Sequence, residues 1–144
     1  MNDESKHDDQ APDPPPSIGF ARVVSAWRYS LSGLAGAWRT EGAFRQEVIG
    51  AAILIPIACF IPVPVLHRAL LIASVLMVIV VELLNSAMEA AIDRISLDRH
   101  PLSGQAKDLG SAAVAVALLM SALCWIVIAG PVALRWLGVA APGT

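Results

Sequence analysis

Three stretches of this chain stay apolar for longer than a water-soluble element requires. The first, Val48–Leu66, carries no charge but holds Pro56, Pro62 and Pro64, so its helix is expected to stop near Phe60 or Ile61. The second begins at Ala69, directly after His67 and Arg68, and continues to Asp93; the third is charge-free from Leu109 to Leu134. Crossing roughly 30 Å of hydrocarbon takes about 20 apolar residues. The first stretch is marginal by that measure and the other two are ample. Period-two alternation is absent, so helices are the expected form.

Ahead of these lies a different pattern. Phe20, Val23, Val24, Trp27, Leu31, Leu34 and Trp38 recur at three- and four-residue intervals, while Arg22, Ser25, Arg28 and Arg39 fall largely off that stripe. Tryptophan on the apolar side and arginine on the polar side suit a helix lying on a bilayer surface; an ordinary helix packed on a core is the alternative. The opening seventeen residues, MNDESKHDDQAPDPPPS, are acidic and proline-rich. They lack the basic start and apolar stretch of a secretory signal and read as a disordered tail.

Composition agrees with a membrane setting. The chain has 144 residues, 56% of them hydrophobic and 15% charged, whereas soluble domains carry about 25% charged residues. A net charge of −2 excludes a strongly basic nucleic-acid or membrane-binding protein. Cys59 and Cys124 sit in apolar runs without metal-type spacing and are expected to be buried packing residues. His7, His67 and His100 are scattered, which speaks against a zinc site.

Basic residues set an orientation. Arg22, Arg28, Arg39 and Arg45 precede the first span, and Arg94, Arg99 and Lys107 lie between the second and third. The first turn has only Arg68 beside His67, and the C-terminal tail only Arg135. The N-terminus and second loop are therefore expected on the cytoplasmic side, and the tail beyond Pro131 on the other.

The chemistry gathers at the end of the second span. Thirteen uncharged residues, Ala69–Val81, precede Glu82; Asn85, Ser86, Glu89 and Asp93 follow at offsets of three, four, seven and eleven. All five fall on one helical face. At 1.5 Å per residue, Glu82 lies about 20 Å along the helix from Ala69, within the hydrocarbon but near its cytoplasmic boundary. An acidic residue at the centre of a span costs roughly 2.5–3.5 kcal/mol, so intramembrane carboxylates are functional candidates. A helix-to-helix hydrogen bond is the alternative use, and Asn85 and Ser86 suit it better than Glu82 does.

Glu41, Arg45, Gln46 and Glu47 enter the first span at the same membrane level, and the loop SLDRHPLSGQAKD offers Asp98, Arg99, His100, Lys107 and Asp108. Magnesium takes carboxylates together with phosphate oxygens, and lysine and arginine suit phosphates; plain surface ion pairs are the competing reading for Lys107 and Arg99. Ser103 is a candidate cap for the third helix. Gly110 and the small residues Ser111, Ala112 and Ala113 would allow close helix contact. Neither a P-loop nor a protein-kinase loop is present. Spacing alone thus reaches a membrane-interface site for a metal and an anionic ligand.

The runs ELLNSAMEAAIDR and HPLSGQAKDLGSAAV, with AWRTEGAFRQE before the first span, closely resemble the prokaryotic diacylglycerol kinase family. The resemblance covers roughly Gly19 to Ile128, and its combined motif is long and specific. It implies an all-α membrane protein, a homotrimer with three transmembrane helices per subunit and a cytoplasmic-side surface helix. The segments expected are a surface helix over about 19–39, spans over about 45–61, 67–93 and 104–130, and a tail over 131–144, the kinase domain being 18–130.

The implied activity is ATP-dependent phosphorylation of diacylglycerol to phosphatidic acid at the bacterial inner membrane, with Mg2+ as cofactor and active sites shared between subunits. On this resemblance Glu82 matches the catalytic base, and Glu41 and Glu89 match the metal-binding carboxylates. Arg22, Tyr29, Asp98, Arg99, His100, Lys107 and Asp108, together with Glu41 and Glu89, match nucleotide-contacting positions. Ala26, Trp38, Ala43, Phe44, Arg45, Gln46, Glu47, Arg68, Ser111 and Trp125 fall where the family lines its lipid groove, with Glu82 at the reacting end; Arg68, far from the chemistry, is expected to touch only lipid tails. Asn85 and Asp93 match supporting polar positions. Pro101 is expected in the loop, stiffening a lid over the nucleotide. An undecaprenol kinase of the same family is the nearest alternative; the GSAAV continuation and Arg94 after Asp93 look more like the diacylglycerol branch. A proton- or ion-conducting subunit would also use a buried glutamate but leaves Glu41, Lys107 and Asp108 without a task, and a membrane scaffold leaves the polar face unexplained.

Overall fold

The computed structural model describes residues 20–95 and 100–138. Four helices follow in order: α1 (Phe20–Thr40), α2 (Gly42–Phe60), α3 (Val65–Ile95) and α4 (Pro101–Trp136), with no strand among the described residues. The last three are each long and apolar enough to cross a membrane. The chain is an all-α membrane protein with three such helices and a further helix at its N-terminal side. The residues up to Leu34 and those from Ala35 onward form two compact units and are taken in turn.

In the first unit, Val23, Trp27 and Leu31 of α1 are exposed, as are Arg22 and Arg28. Ser25 and Ser30 donate their hydroxyls back to the carbonyls of Arg22 (2.9 Å) and Ala26 (3.0 Å), which keeps both serines from competing for water. An uncovered stripe of this kind is what a bilayer surface accepts.

The second unit is built around α3, which packs against both α2 and α4. Helix α2 ends where the sequence requires: Ile61 turns to extended backbone (φ −67°, ψ 143°), because Pro62 and Pro64 deny the next helical hydrogen bonds. Pro56 is accommodated inside α2. The deepest apolar packing lies at this end, where Ala58, Ile61 and the fully buried Leu71 meet Val63, Ile72, Trp125, Ile128 and Ala129. Elsewhere the helices present bare apolar side chains outward, Phe60, Leu84 and Val127 among them, surfaces suited to lipid or to another subunit.

Four expectations need correction. His100, not Ser103, caps α4: its Nδ1 accepts from the Leu102 amide at 3.2 Å. Pro101 is not a loop stiffener but an opening residue of that helix, where a missing N–H costs nothing. Helix α4 does not stop near residue 130; it carries Pro131 internally and runs on to Trp136, with burial of Val132 directly after the proline supplying packing against the lost hydrogen bond. Cys59 is exposed and Cys124 only half-buried, because in a thin three-helix bundle much of each apolar helix faces outward. Of the small residues at 110–113, Gly110 alone is buried; Ser111, Ala112 and Ala113 are exposed.

Candidate functional site

Glu41 is the hinge between α1 and α2. Its backbone is extended (φ −100°, ψ 114°) and it occupies the N-cap of α2, yet its side chain makes no capping hydrogen bond. Aspartate, asparagine, serine or threonine would serve better there. The carboxylate instead accepts from Thr40 Oγ1 at 3.1 Å and borders a cavity of about 320 Å³. Glu82, Asn85 and Glu89 border the same cavity from α3, and Ser111 and Val114 border it from α4.

Glu82 is buried, with 4% of its surface exposed, in a helix that otherwise buries Leu71, Val75 and Val78. Asn85 donates Nδ2 to Glu89 Oε1 at 3.0 Å, while its own Oδ1 is buried without a partner. Gly110 allows this approach: a Cβ there would stand 2.1 Å from Asn85 Oδ1 and 2.4 Å from Met88 Cε. A glycine in a helix interior is normally a weakness; here it lets α4 close on the polar face of α3. Beyond the cavity, Lys107 of α4 donates to Asp93 of α3 at 2.6 Å.

Three carboxylates around one cavity, with a single amide donating to one of them, make an acidic pocket. Among the described residues no group of three or more His, Cys, Asp or Glu is drawn tightly enough to hold a metal unaided. The carboxylates of Glu41 and Glu89 at the cavity's edge are nonetheless hard oxygen donors. They fit a magnesium ion that arrives with phosphate oxygens and water completing its shell.

The remaining candidates divide by place. Ala43 lies at the cavity rim, and Gln46 and Glu47 line an adjoining cavity, Glu47 with a buried, unpartnered Oε2. Phe44 is buried, whereas Arg45 points outward. Trp38 is exposed on the last turns of α1, and Asp108 is exposed on α4. Arg22, Ala26 and Tyr29 are exposed on the first unit's part of α1. Asp98 and Arg99 lie outside the described residues. Arg68 and Trp125 are not near Glu82: Arg68 donates to the Ile61 carbonyl at 3.4 Å, and Trp125 packs on the Ala58–Ile61–Leu71 cluster. Fourteen helical residues separate Arg68 from Glu82, about 21 Å. Sequence reasoning missed the adjoining cavity's wall (Gly50, Leu54, Val78, Leu118) and Ser121, whose hydroxyl meets that of Ser74 at 3.3 Å. Two serines in otherwise apolar spans were the available signal.

Membrane helices closing around one buried carboxylate, with two half-buried ones at the edge of its cavity, define a polytopic membrane protein with an acidic site inside the bundle. The family model described as prokaryotic diacylglycerol kinase matches residues 28–129. Diacylglycerol kinase of Escherichia coli K12 is 47% identical over 112 residues, 78% of this chain and 92% of that protein. Its Pseudomonas aeruginosa counterpart is 51% identical over 110 residues, 76% and 89% of the two chains. The Helicobacter pylori 26695 protein of that name is 42% identical over 112 residues, 78% and 88%. The chain belongs to the prokaryotic diacylglycerol kinase family and is by that membership a membrane-embedded lipid kinase.

Proposed function

We propose that the protein transfers the γ-phosphoryl group of ATP to the free hydroxyl of diacylglycerol, giving phosphatidic acid and ADP. The observation that carries this reading is Glu82: a carboxylate buried in a membrane-spanning helix, bordering one cavity with Glu41 and Glu89. The names of its relatives supply the substrate. Glu82 accepts the hydroxyl proton as the lipid oxygen bonds to the γ-phosphorus and the bond to the bridging oxygen of ADP breaks. General-base help of this kind is worth roughly 10²–10⁴-fold.

Glu41 and Glu89 would hold Mg2+ against the triphosphate, and that ion supplies charge neutralisation on the phosphate oxygens. Such an ion would offset the like charge that a triphosphate meets on entering a pocket of three carboxylates. Asn85 orients Glu89 through the 3.0 Å hydrogen bond. Lys107 of α4, paired with Asp93 of α3, would offer its ammonium to the phosphates. Arg22, Tyr29, Asp98, Arg99, His100 and Asp108 complete nucleotide binding. Trp38, Ala43, Gln46 and Glu47 meet the lipid. Arg68, about 21 Å along α3 from Glu82, and Trp125, on the apolar cluster, contact only its far reaches.

We further propose a homotrimer with sites shared between subunits, seated in the bacterial inner membrane with the N-terminus and the active site cytoplasmic. The bare apolar faces and the arginine distribution support this. The test is direct. Purified protein in mixed micelles receives γ-labelled ATP with diacylglycerol or undecaprenol. Labelled phosphatidic acid on a thin-layer plate is expected, dependent on Mg2+. Label appearing on undecaprenol alone would overturn the substrate assignment.

A further inference from the structure

We propose that Asp93 is a positioning residue: it parks the Lys107 ammonium one helical turn away from Glu89 before nucleotide binds, and gives it up when phosphates arrive. This rests on the metal and nucleotide roles proposed above and assigns the carboxylate that keeps Glu89 available. Three contacts fix how α4 runs against α3: Lys107 with Asp93, Gly110 with Asn85, and Ser121 with Ser74. The two helices are antiparallel. Lys107 precedes Gly110 by three residues, about 4.5 Å of rise. Counted from Asn85, the same step along α3 reaches Met88 and Glu89. The Lys107 backbone is therefore level with Glu89, yet its ammonium lies 2.6 Å from Asp93 Oδ1.

Both the reach and the choice of partner have physical causes. A helical side chain leans toward its own N-terminus, and α4 starts beside the Asp93 end of α3, so the Lys107 stem extends outward past Glu89. Glu89 already accepts from Asn85 Nδ2 at 3.0 Å and is half-buried, whereas Asp93 is exposed. An ammonium keeps more of its hydration on the exposed partner. The Lys107 and Asp93 side chains are 38% and 48% exposed. Pairs of this kind are worth a factor of about five at most, too little to fasten two long helices and little enough to surrender. Lysine suits the exchange, being a point charge on a flexible stem. Without Asp93, the carboxylate within its swing on α3 is Glu89, one turn and about 6 Å away. Lys107 then competes with the metal for that carboxylate.

The test uses the full-length protein in detergent with Mn2+ alone as the probe, free Mn2+ being read by electron paramagnetic resonance. Asp93→Asn is expected to weaken Mn2+ binding about three- to fivefold. Adding Lys107→Met to that variant should restore wild-type binding, because the competitor is gone. Asp93→Glu, which keeps a parking carboxylate, should bind as the wild type does. In the kinase assay Asp93→Asn should raise the KM for Mg-ATP by a similar factor while kcat changes less than about twofold, since Lys107 reaches the bound phosphates in either protein. Unchanged Mn2+ binding in Asp93→Asn, or a loss that Lys107→Met does not restore, overturns the proposal. Should Asp93→Asn fail to fold, Asp93→Ala with and without Lys107→Met decides in the same way. Failure of the functional reading looks different. Wild type that binds no Mn2+ removes the metal from Glu89 and the proposal with it. The expected binding pattern without labelled phosphatidic acid upholds the parking role and sinks the substrate assignment.

Discussion

The two ends of the three-helix bundle use the same helices for opposite purposes. At one end Ala58, Ile61 and Leu71 pack with Trp125, Ile128 and Ala129 into an apolar cluster. At the other, α3 and α4 close over Glu82, Asn85 and Glu89, leaving a cavity and a buried amide oxygen without a partner. The first arrangement satisfies dispersion and burial. The second violates both: a buried carboxylate costs energy in a membrane, and an unpaired buried acceptor costs about 1–3 kcal/mol. Buried nitrogens of Arg68 and Trp125 also lack partners at the apolar end, so what sets the polar end apart is Glu82, the one buried charged side chain among the described residues; an ionisable group kept there at a cost marks a site. Mutations at the polar end should therefore change turnover, and those at the apolar end should change stability.

The largest effect is expected at Glu82. Glu82→Gln keeps size and hydrogen-bonding capacity but cannot take a proton. Phosphatidic acid formation should fall by roughly 10²–10⁴-fold with thermal unfolding unchanged or slightly raised; near-normal turnover would remove Glu82 from the chemistry. Leu71→Ala is the converse experiment. It empties the most completely buried side chain and should cost about 2–5 kcal/mol, read as a lower unfolding temperature in detergent. Activity per folded molecule should hold, because Leu71 is eleven residues from Glu82, about 16 Å along α3. If turnover fell in step with the base mutant, the division between the two ends would be wrong.

Gly110→Ala tests the seam between stability and function. The new methyl would meet Asn85 Oδ1 and Met88 Cε far inside contact distance. Overpacking of this sort costs about 1–3 kcal/mol and must also displace Asn85 from Glu89. Both unfolding temperature and turnover are expected to drop. Loss of stability with full activity would show that the Asn85–Glu89 hydrogen bond is dispensable.

Much of this architecture is visible in the chain before it folds. Three apolar runs and the proline cluster after Ile61 dictate spans and the first turn, and the offsets from Glu82 dictate a polar face. What stayed hidden depends on partners across helices. No local pattern distinguishes Gly110, pressed against Asn85, from Gly50, facing open space; the difference lies in which neighbour stands opposite. The cap of α4 was misplaced because histidine is an uncommon cap and its ring acts through Nδ1. The far placement of Arg68 was legible, since helical rise from Glu82 gives it; that of Trp125 follows from its packing on the apolar cluster, a contact across helices.

The smallest expected effect sits midway between the two ends, at the Ser74–Ser121 contact. Its hydroxyls are 3.3 Å apart, and Ser74 also donates to the Leu71 carbonyl at 2.8 Å. Ser74 Oγ thus has a partner on its own helix whether or not Ser121 is there. Interhelical hydrogen bonds inside bilayers average only about 0.6 kcal/mol, since the separated helices find substitutes. Ser121→Ala should therefore lower stability by no more than about 1 kcal/mol, and a double-mutant cycle with Ser74→Ala should give a coupling at or below that figure. A coupling of several kcal/mol would mean that this pair, rather than the apolar cluster, fastens α3 to α4.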